Sequence, residues 1–477
     1  MGSSSQAIRY PVATTGAGNI DALNTVLANL CTRSNPKDGA ALTLRWIVEE
    51  ETLDLSGEAF AHLMDHLYER ITTFLDSNEV SENLRALRAI YELIDVTISE
   101  NASKVAKFSN YIRAAFETKC DPKILVLASK VLGHLARSGG AITADEVKVA
   151  LECLRGERIE YHRFAAVLIL KEMAENASTV FNVHVQEFMD AIWVALRDPT
   201  LAVRGKAVEA LRACLRVIEK HEIRWRVQWY YQMFEATKDG LGRNAPVHSI
   251  HGSLLAVGEL LRNTREFMMS RYREVAKIVL RYLKNRDRLV LLSITSLLPR
   301  IAHFLCDQFV TNYIMICMNH ILHVLKIFVK RASGFIALGE MAGALDGEIC
   351  FSRIAPRRGR PSLEALACVG NISKAMGPTM EPHVSGLLDS MFSRLFLSLV
   401  IPPLLPTIQN RLLEFISTIL SRSHHSMPRQ SASGYNLLEF ARESIVVYLE
   451  DKDGATRKDV ALCCCKLVAN SFSAISW

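Results

Sequence analysis

An all-α solenoid, built from antiparallel helix hairpins stacked one on the next, is the fold this sequence predicts. Three observations predict it. Apolar residues recur at helical spacing along most of the chain, strand-like alternation is almost absent with no Asn-Gly turn, and one helix–turn–helix unit returns several times.

The periodicity is plainest in Ala207–Ile218. Ala207, Leu211, Cys214 and Ile218 form one stripe, flanked by Val208 and Leu215, while Glu209, Arg212 and Arg216 lie off it. Phe164–Ala174 is apolar over more of its circumference, which predicts a helix buried on more than one side. The recurring unit is a helix end, an Asp-containing turn, a Val or Leu with Arg nearby, and a long apolar helix. It starts at Thr118, Leu196, Leu283 and Leu449. Asp121 and Asp198 each precede proline; Asp suits the turn and the N-cap, and Pro is tolerated at the first helical position. Arg204 and Arg457 follow closely enough to reach back to turn carboxylates or carbonyls.

A second echo falls late in the second helix of each unit, as an apolar-Gly-polar-apolar motif around Gly133, Gly258, Gly339 and Gly370. Glycine inside a helix costs about 1 kcal/mol against alanine, so its recurrence predicts close approach of neighbouring helices. Gly133 to Gly258 is 125 residues and Gly258 to Gly339 is 81, three and two units of about 40 residues, the period of HEAT repeats. Gly339 to Gly370 is only 31, and Ala342–Pro361 is too short and too rich in Gly and Pro to supply the missing helix. A helix is expected to have been lost there.

The expected organisation is a disordered N-terminus over 1–18, a HEAT array over 19–346, and a basic loop at a shortened repeat over 347–361. HEAT units with an irregular stretch around Pro402, Pro403 and Pro406 follow over 362–420, then a polar linker over 421–434 and a further HEAT unit over 435–477. No polar cap precedes Trp477, so the array is expected to be cut from a longer one.

Of the 477 residues, 49% are apolar and 22% charged, the balance of an ordered protein. A net charge of +6 over this length does not impose a nucleic-acid or membrane partner. The eleven cysteines include no CxxC pair, and Cys463, Cys464 and Cys465 are consecutive and cannot converge on one metal. They suit a reducing compartment, as small buried hydrophobes. Met-Gly opens the chain, but Gln6 stands where a myristoylation signal needs Ser or Thr. The most apolar stretch, His303–Val329, is broken by Asp307, Asn312, Asn319, His320 and Lys326, which predicts two buried helices and no membrane span.

No catalytic motif is found, and no cofactor is called for. Gly240-Leu241-Gly242 lacks the third glycine of a dinucleotide loop and is expected to be a plain loop. His248 and His251 are three apart with no third metal ligand beside them. Arg353, Arg357, Arg358 and Arg360 would suit nucleic acid or nuclear import, but a solvated loop at the broken repeat is the preferred reading. Arg224–Phe234 mixes Arg with aromatics, the composition of binding hot spots. Arg224, Trp225, Arg226, Trp229 and Tyr230 are the candidate partner-binding residues; the same aromatics would equally fill a wide gap between helices.

The strings from Arg163, Asp190, Arg243, Phe267 and Ala332 resemble the N-terminal HEAT region of the TOR (target of rapamycin) serine/threonine kinases, in a plant-like version. The resemblance extends from about Asn19 to Ala474, with departures near Ile349–Ile354 and Arg394–Pro402. It implies a non-catalytic, protein-binding scaffold for nutrient-responsive growth signalling. The partners would be a Raptor-like protein and other TOR complex subunits, with self-association, in the cytoplasm and also the nucleus. The kinase segment would lie far downstream. A nuclear-transport or nucleic-acid-binding HEAT protein is the alternative that the charge balance disfavours, and a partial record of the full-length kinase is another.

Overall fold

The computed structural model describes residues 16–29, 39–54, 57–96, 101–138, 140–156, 158–242, 244–264, 269–327 and 331–344. Every element assigned among them is helical. The chain divides into two compact units, Met1–Asn263 and Thr264–Trp477.

In the first unit the helices pair as hairpins: α1 (Gly16–Asn29) with α2 (Gly39–Asp54), α3 (Gly57–Asp76) with α4 (Val80–Leu93), and α5 (Asn101–Thr118) with α6 (Pro122–Ser138). They continue as α7 (Gly140–Gly156) with α8 (Glu160–Asn176), then, after a short α9 (Ser178–Phe181), α10 (Val185–Leu196) with α11 (Leu201–Ile218). The last pair is α12 (Ile223–Gly240) and α13 (Val247–Thr264). The second helices α2, α4, α6, α8 and α11 pack side by side as one layer, and first helices form the other. Helix α8 sits between α6 and α11 with α7 behind it, which is why Phe164 through Leu170 are all buried, as its unbroken apolar run predicts.

Side chains tie successive hairpins together and shape the turns between their helices. The Lys104 ammonium on α5 donates to the carbonyls of Leu93 and Ile94, each at 3.1 Å, and also to that of Val96, capping the end of α4. Its burial pushes its pKa down. Arg163 donates to both oxygens of Asp198, at 2.6 and 3.4 Å. Arg204 reaches back to the carbonyls of Asp198 and Pro199 at 2.6 and 2.8 Å, the role its spacing predicts. Asp121 accepts from the Lys123 amide at 2.8 Å with Pro122 opening α6. Asp198 instead accepts from the Thr200 amide, and α11 starts two residues beyond Pro199, so here the Asp shapes the turn and does not cap the helix.

A Cβ on Gly133 would stand 2.7 Å from Asn176 Nδ2 and 3.0 Å from Glu172 Cβ, so α6 and α8 do approach closely at this motif. Gly258 and Gly339 are buried. In the second unit α14 (Met269–Leu280) pairs with α15 (Arg288–Asn312), and α16 (Ile314–Lys326) with α17 (Arg331–Ala344). Asp287 caps α15, accepting from the Leu289 and Val290 amides at 2.9 and 3.0 Å.

Several expectations need correction. Helix α1 begins at Gly16, inside the stretch assigned to a disordered terminus. The apolar run from His303 does contain two helices, the end of α15 and α16, but Met315 and Ile316 are half exposed. Arg288–Leu305 is long and apolar enough to cross a membrane, yet 61% of it is buried in the fold, where α14, α16 and α17 pack on α15. Cys214 and Cys317 are buried, and burial raises the pKa of both, Cys317 to about 12; Cys120 is exposed and so is no core hydrophobe. Gly240 is the buried last residue of α12, with only Leu241 and Gly242 beyond the helix. Gly370, Arg457, Cys463–Cys465, the arginines from Arg353 to Arg360, the proline-rich stretch and the linker 421–434 lie outside the described residues.

Candidate partner-docking site

The aromatic segment Arg224–Phe234 forms the first two-thirds of α12, and the helix splits it between two environments. Tyr230, Met233 and Phe234 face the core, with Tyr230 only 1% exposed. Tyr230 is therefore a packing residue, and its place among the partner-binding candidates is withdrawn: five positions from Trp225 on a helix is a rotation of about 140°. Ile223 and Trp225 are 57% and 50% exposed, and Arg224 is exposed. Arg226 is half-buried and donates to the Glu219 carbonyl at 3.3 Å. Trp229 is half-buried, its ring standing edge-on to His221 at 5.0 Å. The segment is thus core on one side and surface on the other.

His221 also contacts Asn182, which lies one repeat earlier on the turn before α10. That contact brings two successive turns together, and with them Val183, the most exposed large apolar side chain of the described residues at 78%. Val183 follows Asn182, and Ile223 and Trp225 lie two and four residues past His221, so three exposed apolar side chains flank the edge where these turns meet, which no sequence motif announces. Val183 alone in a polar turn carries no signal; only the stacking brings its turn to the one that opens α12.

The helix bearing this edge is held by backbone contact. Arg197 Nη2 donates to the Ala236 carbonyl at 2.6 Å, tying α10 to α12. A Cβ on Gly240 would stand 2.0 Å from Ser253 Oγ and 3.0 Å from Arg197 Nε. Behind it, Arg204 Nε donates to His251 Nδ1 at 3.1 Å, so that nitrogen is engaged by an arginine. Among the described residues no three His, Cys, Asp or Glu side chains are grouped to hold a metal.

Stacked hairpins in two layers, joined repeat to repeat, define a HEAT/armadillo-type α-solenoid. Solved karyopherins share the architecture: yeast importin-β Kap95p has a TM-score of 0.59 at 11% identity, covering 97% of this chain and 58% of that one. Kap121p has 0.55 at 11%, covering 97% and 52%. At such identity the likeness is one of fold alone. No profile of a known protein family matches the chain. Over its whole length, however, the chain matches the N-terminal region of the TOR serine/threonine kinases, with 62% identity to that of Arabidopsis thaliana. It is 60% identical to the TOR kinase of Oryza sativa over 89% of the chain, and 29% identical to tor1 of Schizosaccharomyces pombe over 90%. The chain spans 22%, 20% and 21% of those relatives, whose kinase domain lies elsewhere. The Arabidopsis alignment runs over 538 positions against 477 residues, so the relative has at least 61 positions with no counterpart here. That is more than one repeat of about 40 residues.

Proposed function

We propose that this chain is a protein-binding scaffold, the segment through which a TOR-type kinase docks a Raptor-type partner in growth signalling. The observation that supports this most directly is the exposure of Val183, Ile223 and Trp225 on either side of the meeting of two turns at Asn182 and His221. Large apolar side chains at half exposure or more, beside Arg224, have the composition of a hot spot. A solenoid suits the role because stacking buries one continuous core and leaves long faces open. Phosphoryl transfer on this reading belongs to the kinase domain of the full-length protein, and the chain works in the cytoplasm.

The test is retention of a Raptor-type protein from lysate on the purified chain, with Trp225→Ala and Ile223→Ser as variants. Both side chains are half exposed, so the helical circular dichroism should be unchanged. Loss of retention in both variants supports the reading. Retention that ignores both substitutions, or retention of nucleic acid alone, overturns it.

A further inference from the structure

A second surface, on the layer of second helices, carries charge that the fold itself does not neutralise. Polar contacts cross each junction from α6 to α13. Arg137 Nε and Nη2 on α6 donate to Asn176 Oδ1 on α8 at 2.8 and 2.6 Å. Arg216 on α11 lies 3.6 Å from Glu175 on α8. Arg212 on α11 donates to both oxygens of Glu259 on α13, at 2.9 and 2.8 Å.

The charges in this ladder do not balance. Glu259 is shared by Arg212 and Arg262, the latter at 3.5 Å, and Glu175 is shared by Arg216 and by Lys171, at 3.2 Å, which also pairs with Glu172 at 2.8 Å. Arg137 and Arg262 are left without a carboxylate of their own in the ladder. Arg137 rests on a neutral amide, whose nitrogen is turned to Glu172 at 3.1 Å. The carboxylates Glu172 and Glu259 are buried, whereas the side chains of Arg216 and Arg262 are 60% and 44% exposed. Lys130 is exposed two turns before Arg137 on the same face of α6. Solvent therefore meets mainly cations. The guanidinium groups of Arg137 and Arg212 are each held by two hydrogen bonds, so part of the entropy cost of fixing them for a ligand is already met within the fold.

We propose that this strip binds an acidic, extended segment of a partner protein laid across α6, α8, α11 and α13. Packed helices stand about 8–10 Å apart, so three junctions span roughly 30 Å, which about ten residues of extended chain cover. Glu175 and Glu209 remain partly exposed within the strip. A peptide can set neutral residues opposite these carboxylates; a polyphosphate, charged at every unit, cannot. The strip is separate from the Trp225 edge, and neither proposal depends on the other.

The experiment uses the full chain and a fluorescent peptide of about ten residues rich in Glu, with a neutral peptide of equal length and an oligothymidylate as competitors. Fluorescence anisotropy is read at low and high salt. Binding of the acidic peptide should be salt-sensitive and should weaken by about tenfold or more in Arg137→Glu/Arg216→Glu. It should persist in Lys148→Glu, on the exposed face of α7, and in Arg137→Lys/Arg216→Lys. Acidic-peptide binding no stronger than that of the neutral peptide overturns the proposal, as does binding indifferent to the double reversal in a chain of unchanged helicity. Tighter binding of the oligothymidylate with the same mutational dependence replaces it with a nucleic-acid surface.

Discussion

Gly252 of α13 lies against the end of α10 so closely that a β-carbon on it would stand 1.6 Å from the Leu196 carbonyl oxygen. The obstacle is backbone, which cannot rotate aside as a side chain would. Gly252→Ala must therefore separate α13 from α10 or distort one of them, and with them the helix that carries Trp225. The expected cost is at least about 1–3 kcal/mol, measured as a lower urea midpoint. Gly205 is the control: it is exposed in α11 and a β-carbon there meets nothing within 4 Å. Gly205→Ala should raise stability by about 0.5–1 kcal/mol through helix propensity alone. Equal effects at the two positions would contradict the packing described.

The contrast between glycines also shows what the sequence could reveal. Gly133 was legible because its motif recurs at the repeat spacing, and close approach is the physical reason for recurrence. Gly252 belongs to no echo, since its contact is with a carbonyl and leaves no complementary residue to notice. The buried circumference of α8 followed from an unbroken apolar run. The aromatic segment of α12 stayed ambiguous for a different reason: composition says that Arg and aromatics are present, not which of them the neighbouring helices cover. Register decides that, placing Tyr230 inside and Trp225 outside. That Val183 and Trp225 belong to adjoining turns follows from a contact between residues 39 positions apart, His221 and Asn182, which only the stacking brings together.

Arg212 and Arg216 sit four residues apart on α11 and offer a comparison of ion pairs that differ in burial. Arg212 is bidentate to Glu259, whose side chain is only 5% exposed, and this hydrogen bonding raises the pKa of Arg212. Arg216, 60% exposed, lies 3.6 Å from Glu175. Arg212→Ala removes its two hydrogen bonds from a buried carboxylate and leaves it Arg262 at 3.5 Å, and a loss of about 2–3 kcal/mol is expected. Arg216→Ala should cost about 0–1 kcal/mol. Urea titration of the two variants checks the order, and a larger effect at Arg216 would reverse the argument.

In the second unit, His320 of α16 is buried, with Nε2 3.1 Å from the Thr295 hydroxyl of α15. Burial pushes its pKa below the ordinary histidine value; a hydrogen bond with the Leu283 backbone opposes this, and nearby His323 adds to it. At pH well above about 6.5 the histidine is neutral in both folded and unfolded chains and costs nothing. As the pH falls below that value the unfolded chain takes up the proton first, so stability declines until the folded pKa is reached, and then levels off. The second unit should accordingly weaken as the pH falls through about 6.5, seen as a falling urea midpoint. His320→Gln removes the titrating group, and its midpoint should fall less over the same interval. The same slope in both proteins would assign the acid sensitivity to other groups and leave His320 as a packing residue only.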